Sequence, residues 1–160
     1  MPSSDASSAP QRAERLRERV SLLLMLLPLA VALAFVLLTP SVWSTDLAVT
    51  FTEDNELAGT AAGWIVAALA LGAALLCAWI GAQGTREQWK YNRRWQRGVL
   101  AAAAAGLTTV LLSTWAMTEA LREGRDPNVG LVLFVTVCAL LYGAACAAVT
   151  PRDLVDTRYA

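Results

Sequence analysis

Chemistry has few places to reside in this chain. Its 160 residues include no histidine, which removes imidazole from acid–base catalysis and from haem, copper and zinc ligation. Cys77, Cys138 and Cys146 form no CxxC pair and sit in apolar stretches, where a thiol serves as a small polarizable hydrophobe. Nucleophile-elbow, Walker-type and dinucleotide-type glycine patterns are absent. The expectation is a protein that is not an enzyme and that uses no cofactor or metal.

Three groups of residues remain. The first is basic and aromatic: Arg86, Trp89, Lys90, Tyr91, Arg93, Arg94, Trp95 and Arg97. Cations interleaved with rings suit the anionic headgroups of a bilayer, or a docking partner, better than nucleic acid when they lie between two membrane spans. The second is acidic: Asp46, Glu53, Asp54 and Glu56, with Glu119, Glu123 and Asp126 further on. Converging carboxylates can hold a divalent cation, but a solvated loop is the simpler assignment. The third is made of small residues at four-residue spacing: Gly59, Gly63 and Ala67; Ala70, Ala74 and Ala78; Gly98, Ala102 and Gly106; Ala139, Gly143 and Ala147. That spacing lines one helical face and lets backbones approach closely.

The elements that carry these groups follow from the charge pattern. All 13 basic and 13 acidic residues fall in clusters, leaving Val20–Thr45, Leu57–Thr85, Gly98–Thr118 and Pro127–Pro151 uncharged. Each stretch supplies the roughly 20 residues that cross a hydrocarbon core of about 30 Å. A soluble bundle would show charge on one face every turn or two. The mean hydropathy of +0.47 agrees.

The predicted architecture is an all-α integral membrane four-helix antiparallel bundle. Its spans run over about 20–38, 58–80, 98–118 and 128–149. A basic segment, 1–19, precedes them, disordered over 1–11 and continuing the first helix over 12–19, and a short tail, 150–160, follows. Pro28 lies within the first span and removes one backbone bond, predicting a kink. A basic start before an apolar run also describes a signal peptide, with Ala30-Val31-Ala32 as a cleavage site. The continuing apolar run and the three later spans favour an uncleaved anchor. The stretch Leu47–Phe51 is β-prone but too short to stand alone.

Orientation follows from the arginines and the lysine. Arg12, Arg15, Arg17, Arg19, Arg86, Lys90, Arg93, Arg94, Arg97, Arg152 and Arg158 fall on one side, and Arg122 and Arg125 on the other. This predicts both termini inside. Trp43, Trp64 and Trp115 then fall near the outer boundary, and Trp79, Trp89, Tyr91 and Trp95 near the inner one, as amphipathic rings prefer. Twelve arginines to one lysine, with abundant alanine, point to a GC-rich bacterial genome and so to a bacterial cytoplasmic membrane.

No Asp, Glu, Lys or Arg lies within a span, whereas proton relays and ion-coupled carriers place one at membrane depth. The expected function is a non-enzymatic accessory or scaffold subunit that packs against other membrane subunits or itself. The alternative is a homo-oligomeric channel or small-solute transporter, with Thr108, Thr109, Ser113 and Thr114 lining a polar path.

Overall fold

The computed structural model describes residues 8–51, 57–83, 93–126 and 130–151. Four long helices order the chain: α1 (Ser8–Leu38), α2 (Gly63–Gln83), α3 (Arg93–Arg122) and α4 (Gly130–Val149). Each is long and apolar enough to cross a membrane. At 1.5 Å per residue, α2 and α4 measure about 30 Å and α1 and α3 about 45 Å. The helix of α1 begins at Ser8, so it takes in the expected extension over 12–19 and starts four residues earlier. Likewise α3 starts at Arg93, which draws the end of the basic run into a helix.

The all-helical expectation needs one correction. Between α1 and α2 lie a 3-10 turn (Pro40–Ser44) and an antiparallel hairpin of β1 (Asp46–Phe51) and β2 (Leu57–Ala62). The second apolar helix therefore begins at Gly63 rather than at residue 58, and Gly59 sits in a strand. The register runs from Asp46 opposite Ala62 to Phe51 opposite Leu57, shifting on both sides of Thr50. A two-stranded ribbon is marginal by itself; here it is fastened to the bundle. The Ala48 amide donates to Thr118 Oγ1 of α3 at 2.9 Å, and that hydroxyl donates to Thr114 O at 2.7 Å. Leu47 and Val42 are fully buried against Val36, Ala67, Ala70 and Leu111. The ribbon thus closes one end of the bundle, the hairpin end.

Close packing comes from small residues. The buried face of α2 is Gly63, Ala67, Ala70, Ala74, Ala78 and Gly81, every step three or four residues, which keeps them on one side of the helix. A Cβ on Gly63 would lie 2.0 Å from Val42 O, and the Gly63 amide donates to Thr45 O at 2.8 Å. Helix α3 touches each of the other three helices. It ends in a Schellman motif at Gly124 (φ 68°), with Gly124 N–H on Leu121 O and Arg125 N–H on Ala120 O. Trp115, expected at the outer boundary, packs edge-to-face on Phe35 at 6.1 Å beside the core. Trp43, Trp64, Trp79 and Trp95 are exposed near helix ends, where ring-and-dipole side chains suit an interface.

Candidate functional site: the arginine end of the bundle

The end opposite the hairpin is organised by three arginines in the first turns of α3. Arg97 is the largest fully buried side chain among the described residues, 1 % exposed. It donates from NH2 to Glu18 Oε1 at 2.6 Å, from NH1 to Ser21 Oγ at 2.6 Å and from Nε to Gly81 O at 3.4 Å. One guanidinium therefore joins α1, α2 and α3. Arg93 pairs more loosely with Glu18 at 3.5 Å, and its buried Nε has no partner among the described residues. Arg94 donates from Nε to Ala147 O of α4 at 3.1 Å.

The placement has an electrostatic reason. Three cations at the start of α3 oppose that helix's own dipole. The antiparallel neighbours α2 and α4, however, end there, and their last carbonyls lack intrahelical donors. Arg97 and Arg94 each satisfy one of those carbonyls. The Ala147 carbonyl has a further cause: the residue four positions on is Pro151, which carries no N–H.

The same logic operates in mid-bundle. Pro28 cannot donate to the Leu24 carbonyl, and the phenol of Tyr142 on α4 takes that acceptor instead. Thr108 Oγ1 shares its one proton between Ala104 O at 2.9 Å and Pro28 O at 3.2 Å. Each proline thus opens a carbonyl that a neighbouring helix fills, the way apolar helices accommodate proline. The Pro28–Tyr142 relation was readable in the sequence as a proline-freed acceptor, but its partner was not.

This coupling has a measurable consequence. Tyr142→Phe should destabilise the protein in detergent by about 1 kcal/mol, the cost typical of a stranded buried acceptor or an interhelical bond. In a Pro28→Ala background, residue 28 regains its N–H and the same change should cost almost nothing. Equal losses in both backgrounds in a double-mutant cycle would refute the coupling.

No protein-family profile, curated protein or solved structure matches the chain. Function therefore rests on the residues. Of the expected headgroup or partner contacts, Arg86, Trp89 and Lys90 lie outside the described residues. Arg93, Arg94 and Trp95 sit at the arginine end, Trp95 exposed. Arg97 is instead buried inside the bundle: as a donor set for three helices it is a structural tie, not a surface contact.

The small residues divide similarly. A Cβ on Gly98 would lie 2.8 Å from Ala147 Cβ, and one on Gly143 would lie 2.5 Å from both Ala102 Cβ and Gly98 O. Gly98, Ala102, Gly143 and Ala147 therefore make the α3–α4 contact within one chain. Ala139 is buried on α4, whereas a Cβ on Gly106 would meet nothing within 4 Å.

The candidate polar path is spoken for as well. Thr109, Ser113 and Thr114 donate to the carbonyls of Gly106, Val110 and Leu111, three residues back on their own helix. Among the acidic residues described, Glu119 pairs with Arg122 at 3.0 Å and Glu123 with Arg125. Arg122 also reaches Thr45 Oγ1 at 3.2 Å. Glu53, Asp54 and Glu56 lie outside the described residues.

Proposed function

We propose that the chain is a multi-pass protein of a bacterial cytoplasmic membrane, with the arginine end inside and the hairpin end outside. In this reading it works without catalysis, as an accessory or scaffold subunit packing against other membrane subunits. The observation that carries the reading is how the chain spends its polar groups. The hydroxyls of α3 bond to backbone, and the arginines tie helices together. Toward the surroundings, α1, α2 and α4 present Leu27, Leu37, Leu69, Leu76, Leu133 and Phe134, all exposed. Contiguous apolar faces of that kind mark membrane or partner contact.

The homo-oligomeric channel draws its support from the same hydroxyls, and their local bonding favours packing over conduction. Reporter fusions after residues 50, 90, 124 and 160 should read out, in, out and in. An external C-terminus would overturn the orientation. Purification in mild detergent should then retain a distinct membrane partner. A homo-oligomer that conducts when reconstituted would replace the scaffold reading with the channel.

A further inference from the structure

Two apolar grooves run along the arginine end of α3, one on each side of a ridge made by Trp95 and Val99. The first, of about 190 Å³, lies between α3 and α4 over Gly98, Ala102, Gly143, Ala144 and Ala147. The second, of about 220 Å³, is lined by Ile80, Gln96 and Leu100. The first spans Trp95 to Ala102, a rise of about 10 Å, a third of a hydrocarbon core of about 30 Å. Its depth is limited by the glycines, which bring the two backbones together.

Among the described residues, the mouth carries a surplus of positive charge. Arg94 binds the carbonyl of Ala147, itself a lining residue. The only described carboxylate paired with the three arginines is Glu18, which Arg93 and Arg97 share. Arg94 has no anionic partner among the described residues, and its NH1 and NH2 donate no hydrogen bond there. Trp95, 71 % exposed, stands between the grooves.

We infer that this end of α3 binds one anionic phospholipid. The two acyl chains lie in the grooves astride Trp95 and Val99, and the headgroup phosphate sits on Arg94. A guanidinium matches a phosphate with two parallel N–H donors, and Arg93 and Arg97 add to the attraction. A zwitterionic lipid would fill the grooves equally well but would gain less from the surplus charge. The inference rests on the proposed membrane location.

The test uses the full-length protein in non-ionic detergent and native mass spectrometry. Phosphatidylglycerol and phosphatidylcholine of identical chains are titrated separately. Wild type should retain one phosphatidylglycerol at about tenfold lower concentration than phosphatidylcholine. Arg94→Gln keeps a donor for Ala147 O and should cut that preference about fivefold, the factor that roughly 1 kcal/mol per basic residue gives. Arg94→Lys should keep most of it. Ala144→Phe, which fills the first groove from its open side, should weaken both lipids alike.

Equal retention of the two lipids by folded wild type, or an unchanged preference in Arg94→Gln, overturns the site. So does competition by soluble glycerol phosphate at the lipid's own potency, since that describes an ion site without chains. Should the fusions place the arginine end outside while the lipid preference persists, the orientation fails and the site stands.

Discussion

Replacing Arg97 with alanine should lower the unfolding free energy by about 3 kcal/mol, the lower end of the range for breaking a buried ion pair. The lower end applies because Glu18 is 23 % exposed and keeps Arg93 at 3.5 Å, so the carboxylate stays partly hydrated and partly paired. Ser21 Oγ and Gly81 O lose their donors together with Glu18, and the largest fully buried side chain leaves a void. Arg97→Met would fill much of the volume and restore none of the hydrogen bonds, so it should remain destabilised. Adding Glu18→Gln to Arg97→Met removes the carboxylate but also takes it from Arg93, so it should recover less than about 1 kcal/mol, what a stranded polar group costs. Arg97→Lys keeps the charge but loses the three-way fork and should fall between. Denaturation in mixed micelles reads all four variants. Arg97→Ala melting within about 0.5 kcal/mol of wild type, the scatter of an ordinary surface substitution, would show that the three helices do not depend on this tie.

The helices were legible because an uncharged run of sufficient length has few other uses: 98–118 lies within α3, and the described part of the fourth run, 130–149, is α4. The small-residue faces were legible too, since a spacing of four is geometry that holds in any helix. What spacing could not say is whether a face meets its own chain or another. Gly98 and Gly143 meet each other across α3 and α4, so the features that suggested an outside partner are largely used within the chain. What the chain still offers a partner is its exposed leucines, Leu69 and Leu133 among them.

Arg97 was misplaced for a related reason. A charge at the edge of an apolar run counts as a loop charge in any tally of topology. Whether it faces water or the bundle depends on what the neighbouring helices leave unsatisfied there. The β-prone stretch Leu47–Phe51 lies in β1, but its pairing into a hairpin escaped because β1 lacks alternation and its partner does not read as a strand. Leu47 and Ala48 are both buried, Val49 and Thr50 both exposed, and Leu57–Ala62 is small and apolar like the helix that follows. The hairpin's anchors are Leu47 in the core and the bond from the Ala48 amide to Thr118, seventy residues away, and no local pattern encodes those contacts.

The second large effect concerns the glycines, where the structure separates positions that sequence treats alike. Gly143→Leu should destabilise the protein by 3 kcal/mol or more, toward and beyond the upper end of ordinary overpacking, about 1–3 kcal/mol. The first added carbon would already lie 2.5 Å from Gly98 O and 3.1 Å from Ala102 N. Backbone cannot step aside as a flexible side chain does, so α3 and α4 must separate. That separation forfeits contacts worth roughly 0.1–0.2 kcal/mol per atom pair and pulls Ala147 O away from Arg94. Gly63→Leu should be at least as damaging, because its Cβ would lie 2.0 Å from Val42 O. Gly72 and Gly106 have nothing within 4 Å of a Cβ, although Gly106 continues the same four-residue series as Gly98. Alanine at either position should stabilise the protein by up to about 1 kcal/mol, the gap between glycine and alanine in a helix interior. Leu69→Ile, at an exposed site, serves as the neutral control. Unfolding midpoints for the five variants give opposite signs for glycines of one apparent motif. A Gly106→Ala as damaging as Gly143→Leu would mean that the face bearing Gly106 is covered by a partner, and that the seam extends beyond this chain.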